Sequence, residues 1–386
     1  MTMDRKMEIR AHVLVDLEFG NFFDRFNGWT YSDFKADKDT LHNWVEFTTV
    51  MYCPADGLIH CGLGRFDNDI LYTFDRKSQI FTSLKYQEIG EQFDVKVHRS
   101  LVYNSDGYIY GATALLHDIN DNMRAPGGKI FRYRPGGHDL EILGIPVPHS
   151  YIQSIALDEK RQMLYGFTFM PERFFSYNIR TGESRDLGLI GSCLFIGQSH
   201  QPCVDDTGCV WGTWGSYYSH GRLPTEGHAV NLLKYDPETD AVTYFPYGLL
   251  GPGRTSQDMV DDIINGKDGY LYIGGRSGYL YRLDPSRAEV ECLGKPFFHQ
   301  RRLSSLVLDK RGVMYGTLGD RDCTRLFRYD REAKRFTELG VVYDAQKRQP
   351  AEKIHSLTIT DDGVLFGGEI DNLHRCSFLW ECWLRD

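Results

Sequence analysis

The chain has 386 residues, of which 41% are apolar and 25% charged, an ordinary globular composition with enough apolar material for a large core. Its formal net charge of −9, from 44 Lys and Arg against 53 Asp and Glu, argues against nucleic acid as a partner, because phosphate recognition draws on cationic side chains. Nine cysteines form an odd set without framework spacing or a CxxC pair, which suits free thiols in a reducing compartment and argues against a zinc ribbon.

The N-terminal stretch MTMDRKMEIRAHVLVDLEFG carries scattered charges and no continuous apolar run. No later segment approaches ~18 uninterrupted apolar residues, so no membrane span is expected. With no signal peptide in this sequence, the reading is cytoplasmic, or secreted or periplasmic if a signal has been trimmed.

Self-comparison then sets the fold. One template recurs: an apolar strand, a turn ending in Asp-Gly or a similar pair, a strand ending near Tyr-Gly, a gap, a strand ending in Tyr-Asp, and a polar strand ending in Leu-Gly. In chain order the copies open with TTVMYCPADGLIHCGLG, SLVYNSDGYIYGAT, SIALDEKRQMLYGFT, CVDDTGCVWGTW, DDIINGKDGYLYIGG, SLVLDKRGVMYGT and SLTITDDGVLFGG. Each copy supplies four short alternating strands. One such sheet cannot bury both faces alone, so radial stacking into a β-propeller is expected. The seventh copy lacks a clear fourth strand, and AHVLVDLEF, residues 11–19, alternates properly and could supply it. The expectation is an all-β, single-domain, seven-bladed β-propeller over residues 1–386, its ring closed by the N-terminal strand. Helical readings fail because the apolar period is two nearly everywhere. The recurring glycines in YGAT, YGFT, WGTW and IGGR lack the strand-loop-helix setting of a phosphate cradle; close approach of inner strands explains them better.

In every copy the start of the first strand and the end of the second point to one face of the disc, the mouth, where propeller ligands commonly bind. Two gaps there are extended: residues 114–128 in the second copy and 216–230 in the fourth. The template gathers His98 and His117 at this face, with His149, Tyr151 and Arg173 from the third copy. The fourth adds His200, Trp214, Tyr217, Tyr218, His220 and Arg222; Arg254, Arg301, Arg302 and His355 approach from later copies. Aromatic rings and cations on an acidic chain suit an acidic sugar, with rings over its apolar faces and Arg or His⁺ on its carboxylate or sulfate.

The hairpin from Lys96 to Asp118 carries a histidine near the outer end of each arm, in KVHRSL and ATALLHD. Strand geometry sets Leu115 opposite His98, so His117 must turn back from its loop to share a substrate. This two-histidine hairpin in a propeller resembles the polysaccharide lyases of the ulvan lyase and rhamnosyl-glucuronate lyase type. The resemblance implies β-elimination at a uronic acid, with loss of the C5 proton and departure of the C4 oxygen to leave a 4,5-unsaturated uronate. It implies that His98 and His117 serve proton transfer and carboxylate binding, that Arg173 neutralises the carboxylate, and that Tyr151 takes the family's tyrosine role, with Tyr218 or His149 as substitutes. Substrate contacts are expected from His149, His200, Trp214, Tyr218, Arg222 and Arg302; the partner would be an acidic polysaccharide or oligosaccharide.

Several features also have plainer readings. His98 could be a strand-end residue bonded to a loop, Arg173 a surface charge, and Trp211 and Trp214 core aromatics. No cofactor is required, but a structural or carboxylate-neutralising ion could be held, as zinc by His200, Cys203, His220 and His228 or as calcium by DMVDDI (258–263), although acidic residues at a blade entry are more often solvated turns. No nucleophile elbow, HExxH or kinase signature is present. The alternative function is a non-catalytic glycan- or protein-binding propeller; a glycosidase would need a carboxylate pair that competes with the histidines.

Overall fold

The computed structural model describes residues 7–114, 120–121, 123–137, 139–191, 197, 199–216, 229–253, 257–320 and 323–384. Each repeat folds into its own four-stranded antiparallel sheet. In blade 1 the strands Glu46–Tyr52, Ile59–Gly64, Leu71–Asp75 and Ile80–Ser83 pair in sequence order. Blades 2 to 6 repeat this meander over 101–144, 151–189, 203–244, 260–294 and 303–341.

Apolar residues on both faces of each sheet explain the stacking. Seven buried clusters each join two adjacent blades. In blade 1, Leu71 packs against Ile109 and Phe131 of blade 2, while Ile59 packs on the other side against Phe366 and Leu379 of blade 7. The remaining blade pairs share the same arrangement. The first strand of every blade touches those of both neighbours, so the ring is closed about a central channel.

Close approach of inner strands accounts for Gly274, where a Cβ would lie 2.4 Å from the Leu303 carbonyl of the next blade, but three of the repeated glycines have a different cause. Gly111, Gly166 and Gly316 lie opposite Phe131, Phe175 and Phe327 of the third strand of the same blade. A Cβ on these glycines would come within 2.2, 2.3 and 2.5 Å of the phenyl rings. They make room for aromatic side chains lying across the sheet.

Closure of the ring uses the chain's beginning. Ile354–Ile359, Leu365–Glu369 and Leu379–Leu384 form the first three strands of blade 7, and Met7–His12 pairs antiparallel with Leu379–Leu384 as the outermost. The closing strand therefore overlaps the expected 11–19 only at Ala11 and His12. Asp344 fixes its inner end by accepting from the Ala11 N–H at 2.8 Å, after which the chain leaves the sheet.

Between this strand and blade 1 the chain is helical, against expectation. Phe22–Arg25, Tyr31–Ala36 and Lys38–Asn43 are short helices capped by Asn21, Thr30 and Asp37, Thr30 and Asp33 forming a reciprocal capping box. Phe19, Phe22, Phe26, Trp29, Phe34 and Trp44 pack into one aromatic cluster that also takes in Phe66 of blade 1. This cap links the last strand of blade 7 to the first of blade 1. Its bonds to Leu373 and Gln92, in connections on the mouth face, hold it there.

Candidate functional site

Aligned by their ladders, the seven first strands place the same two-residue step at the channel: Thr48–Thr49, Arg99–Ser100, Gln153–Ser154, His200–Gln201, Asp261–Asp262, Ser304–Ser305 and His355–Ser356. All fourteen side chains are polar. In blades 1, 3, 5, 6 and 7 the register slips by one residue here, a β-bulge that re-aims a side chain and takes a carbonyl out of the ladder. Neighbouring blades satisfy those carbonyls. Ser304 Oγ donates to Ile354 at 2.5 Å, His98 Nδ1 lies 2.7 Å from the Gln153 oxygen, and His355 Nδ1 lies 3.2 Å from the Thr48 oxygen.

Three imidazoles meet at this level. The ring of His98 lies 4.7 Å from His355 and 6.1 Å from His200, and His200 lies 5.6 Å from His355. His98 Nδ1 is 2.7 Å from the Gln153 carbonyl, and His200 Nδ1 is 3.2 Å from Asp261 and 3.4 Å from the Val260 carbonyl. These contacts place the proton on Nδ1 and leave Nε2 as the acceptor. His355 Nε2 accepts from Arg99 Nε at 3.3 Å, whereas Nε2 of His98 and of His200 has no hydrogen bond among the described residues. Burial pushes all three pKa values down, assisted at His98 by Lys96 and at His355 by Arg99; His200 falls to about 4. All three are neutral at pH 7.

Below them Arg99 crosses the channel. Its backbone has a φ of 42°, and its guanidinium reaches Ser304 O at 2.6 Å in blade 6 and Asp262 at 3.3 Å in blade 5. Burial raises Asp262 to about 6, still ionised at neutral pH; it also accepts from the N–H groups of Ile263 and Leu306. Arg99, Gln201 and Asp262 line the end of a 530 Å³ cavity on the far side; the three histidines are buried between this cavity and the one at the mouth and are among the lining residues of neither.

On the mouth side a 410 Å³ cavity lies between the aromatic cap and blades 5, 6, 7 and 1. Phe22, Phe23 and Trp44 line it together with Arg276, Arg302, Lys353, Glu46, Asp320 and Asp371. Arg302 links it to the histidines, because its Nε lies 3.1 Å from Asp261, which in turn holds His200. Burial alone would raise the Asp261 carboxyl, but Arg302 and His200 hold it below its ordinary value. Lys353 is buried against Asp371, and Arg276 is exposed.

The structure brings together only part of the constellation read from the sequence. His98, His200, Arg302 and His355 converge. His98 is outside the ladder, which runs to Leu101 opposite Gly111 and resumes as a bridge between Lys96 and Ala114. His117, Tyr218 and Arg222 lie outside the described residues, as do Tyr217, His220, His228 and Arg254. His149 is half-buried with Nδ1 2.8 Å from the Ala125 carbonyl, holding the blade 2 connection.

Three positions need correction. Tyr151 is buried among Phe93, Val95, Ala114 and Ala125 with its ring on Phe169, because the first residue of this strand faces the packing between connections. Arg173 donates from Nε to Asp186 of the outermost strand at 2.6 Å, which directs it along the sheet toward the rim. Trp214 donates to the Phe245 carbonyl and packs on Tyr244, in agreement with its plainer reading as a core aromatic.

The ion sites considered from sequence also change. Cys203 is packed in the cluster between blades 4 and 5, while His200 is committed to Asp261. Asp258, Asp261 and Asp262 are buried and engaged by Ser277, Tyr281, Arg302, His200 and Arg99, so they form neither solvated turns nor a free oxygen cage. The residues missed were Gln153, Arg99 and Lys353, while Asp261 was noticed only as part of an acidic run. For Gln153 and Arg99 the signal is the polar step at the mouth end of each first strand, visible when the seven copies are stacked.

No family model matches the chain, and no curated protein matches it in sequence. Solved structures do match in shape. The extracellular domain of a putative hybrid two-component system from B. thetaiotaomicron superposes with a TM-score of 0.59 at 15% identity, over 88% of this chain and 38% of that one. The GH74 xyloglucanase from Xanthomonas campestris gives 0.60 at 12% identity, over 94% of this chain and 52% of that one. These likenesses establish the propeller fold; the chain spans well under two thirds of either protein's length.

Proposed function

We propose that the protein is a carbohydrate-active propeller that binds an acidic polysaccharide or oligosaccharide at the mouth and cleaves it by β-elimination at a uronic acid. The observation that carries this reading is the chain of contacts at one end of the channel from the neutral, buried His200 through Asp261 to Arg302, which lines a cavity shared with further cations and the rings of Phe22, Phe23 and Trp44. A serine suffices to satisfy a carbonyl beside a bulge, as Ser304 does. Histidine at the same task keeps a second nitrogen for chemistry.

Elimination needs a base for the weakly acidic C5 proton and positive charge on the carboxylate to stabilise the carbanionic transition state. His98 Nε2 is the base in this proposal, with His200 as the second proton-transfer group. Arg302, Arg276 and Lys353 neutralise the carboxylate, and Phe22, Phe23 and Trp44 offer rings to the sugar faces. His117, Tyr218 and Arg222 keep their expected roles from the extended loops, His117 completing the histidine pair. One of the structural neighbours is itself a xyloglucanase, which supports glycan chemistry on this fold and raises hydrolysis as the competing reaction.

The test is to incubate the protein with ulvan, gum arabic glucuronosides, pectic oligomers and xyloglucan, following ultraviolet absorbance of the conjugated product and reducing ends in parallel. Elimination predicts absorbance on at least one uronate and none on xyloglucan. New reducing ends without absorbance would assign hydrolysis, and binding without either signal would assign the non-catalytic alternative.

A further inference from the structure

A second cluster with ligand chemistry lies on the opposite face, where the first and second strands of blade 1 are joined. Two blades share a device here. An aspartate in the turn accepts from an aromatic side chain on the second strand in blades 2 and 5: Tyr110 donates to Asp106 at 2.7 Å and Tyr272 to Asp268 at 2.9 Å. In blade 1 the aspartate is Asp56, and the aromatic position holds His60, with Nε2 3.1 Å from Asp56 Oδ2.

A second substitution accompanies the first. The residue that opens the turn is Asn104 in blade 2, Asp205 in blade 4, Gly266 in blade 5, Asp309 in blade 6 and Thr360 in blade 7, each donating its N–H across the turn; in blade 1 it is Cys53. One donor atom from each of Cys53, Asp56 and His60 lies within 4.8 Å of the other two. Cys53 and His60 are fully buried, and the Asp56 side chain retains 13% of its exposure. A tetrahedral zinc ion holds N, O and S donors about 3.3–3.5 Å apart, so a small closure of this group would seat one.

We propose that Cys53, Asp56 and His60 form a site for a zinc-class transition metal, with solvent at the fourth position beside Asp56. A thiolate and an imidazole favour zinc over calcium or magnesium. The surroundings suit an ion: His60 Nδ1 lies 2.9 Å from the Tyr133 hydroxyl, which orients the ring with Nε2 toward Asp56, and the Gly136 N–H donates to Asp56 at 3.0 Å. Both outer partners belong to blade 2, so an ion here would staple the first blade to the second, far from the mouth. Burial raises the Cys53 thiol, and metal binding would release its proton.

The test is titration of the chelator-treated full chain with Co²⁺ and with Zn²⁺, comparing wild type with Cys53→Ser and His60→Tyr. His60→Tyr installs the residue that blades 2 and 5 use, so the fold-preserving bond to Asp56 is kept. Wild type is expected to bind one equivalent, with a thiolate-to-cobalt charge-transfer band and a zinc-dependent rise in melting temperature. His60→Tyr should bind at least about a hundredfold more weakly, and Cys53→Ser should lose the charge-transfer band. Failure of wild type to take up one equivalent would overturn the site. So would uptake and thermal response unchanged in both variants, since the ion would then be held elsewhere.

Discussion

The two ends of the central channel are built from the same seven strands and differ in kind. Toward the far side the strands are regular, and Val50, Leu101, Leu157, Ile263 and Leu357 are among the apolar side chains lining the larger cavity. Toward the mouth the register slips in five blades, polar side chains replace apolar ones, and three imidazoles meet and connect through Asp261 to Arg302, which lines the smaller cavity with Arg276 and Lys353. Arg99 separates the two. The difference teaches that regular ladders make the ring and that the polar two-residue step at the mouth end of each first strand, bulged in five of the seven blades, makes the site.

The sharpest way to break this division is Arg99→Ala. It leaves Asp262 buried without its cation, and losing one partner of such a pair costs about 3–5 kcal/mol; denaturant unfolding should show it. Arg99→Met fills more of the space but leaves the same charge, and should recover only part of the loss.

On the mouth side, Arg276→Ala removes an exposed cation from the smaller cavity without cutting a buried ion pair. A charge-assisted bond to a substrate carboxylate contributes about 1.5–3 kcal/mol, so KM should rise by about tenfold or more with melting temperature unchanged. An unchanged KM would place the carboxylate elsewhere.

The neutral state of the histidines makes two pH predictions. A base whose pKa is depressed stays deprotonated in acid, so the acid limb of the kcat/KM profile should fall below pH 6.5. Stability has the opposite sense: below about pH 6.5 the unfolded chain takes up protons that native His98, His200 and His355 refuse. Stability from this source is therefore full above that pH and is lost as the pH falls toward about 4, the native value of His200. His200→Gln should flatten part of the decline.

The smallest effects are expected where the structure moved residues away from the channel. Arg173→Gln breaks a rim ion pair with Asp186 and should change stability by less than about 1 kcal/mol and activity by less than about twofold. A large loss of kcat would return Arg173 to the mechanism.

The ring was legible because each blade spells out the same alternation and turn, and seven imperfect copies reinforce one another. The closing strand was displaced because AHVLVDLEF alternates as well as the segment before it; only pairing with Leu379–Leu384 chooses between them. The cap was missed because its three helices are too short for an apolar period, although Thr30 and Asp33 spell a capping box. His98 and His200 were found from residue type and position. Gln153 was hidden by the bulge, which makes its side chain disobey the alternation used to read the rest, and Arg99 by its left-handed backbone ahead of the first ladder pair of blade 2.

The central claim is that the mouth-side imidazoles act on a uronate. It is tested most directly by the initial rate of unsaturated uronate formation in wild type and His98→Ala at matched folded fractions. Loss of a general base predicts a fall of about 10²–10⁴-fold with cooperative unfolding retained. Full activity in His98→Ala would contradict the account and leave the histidines as fillers of the bulge.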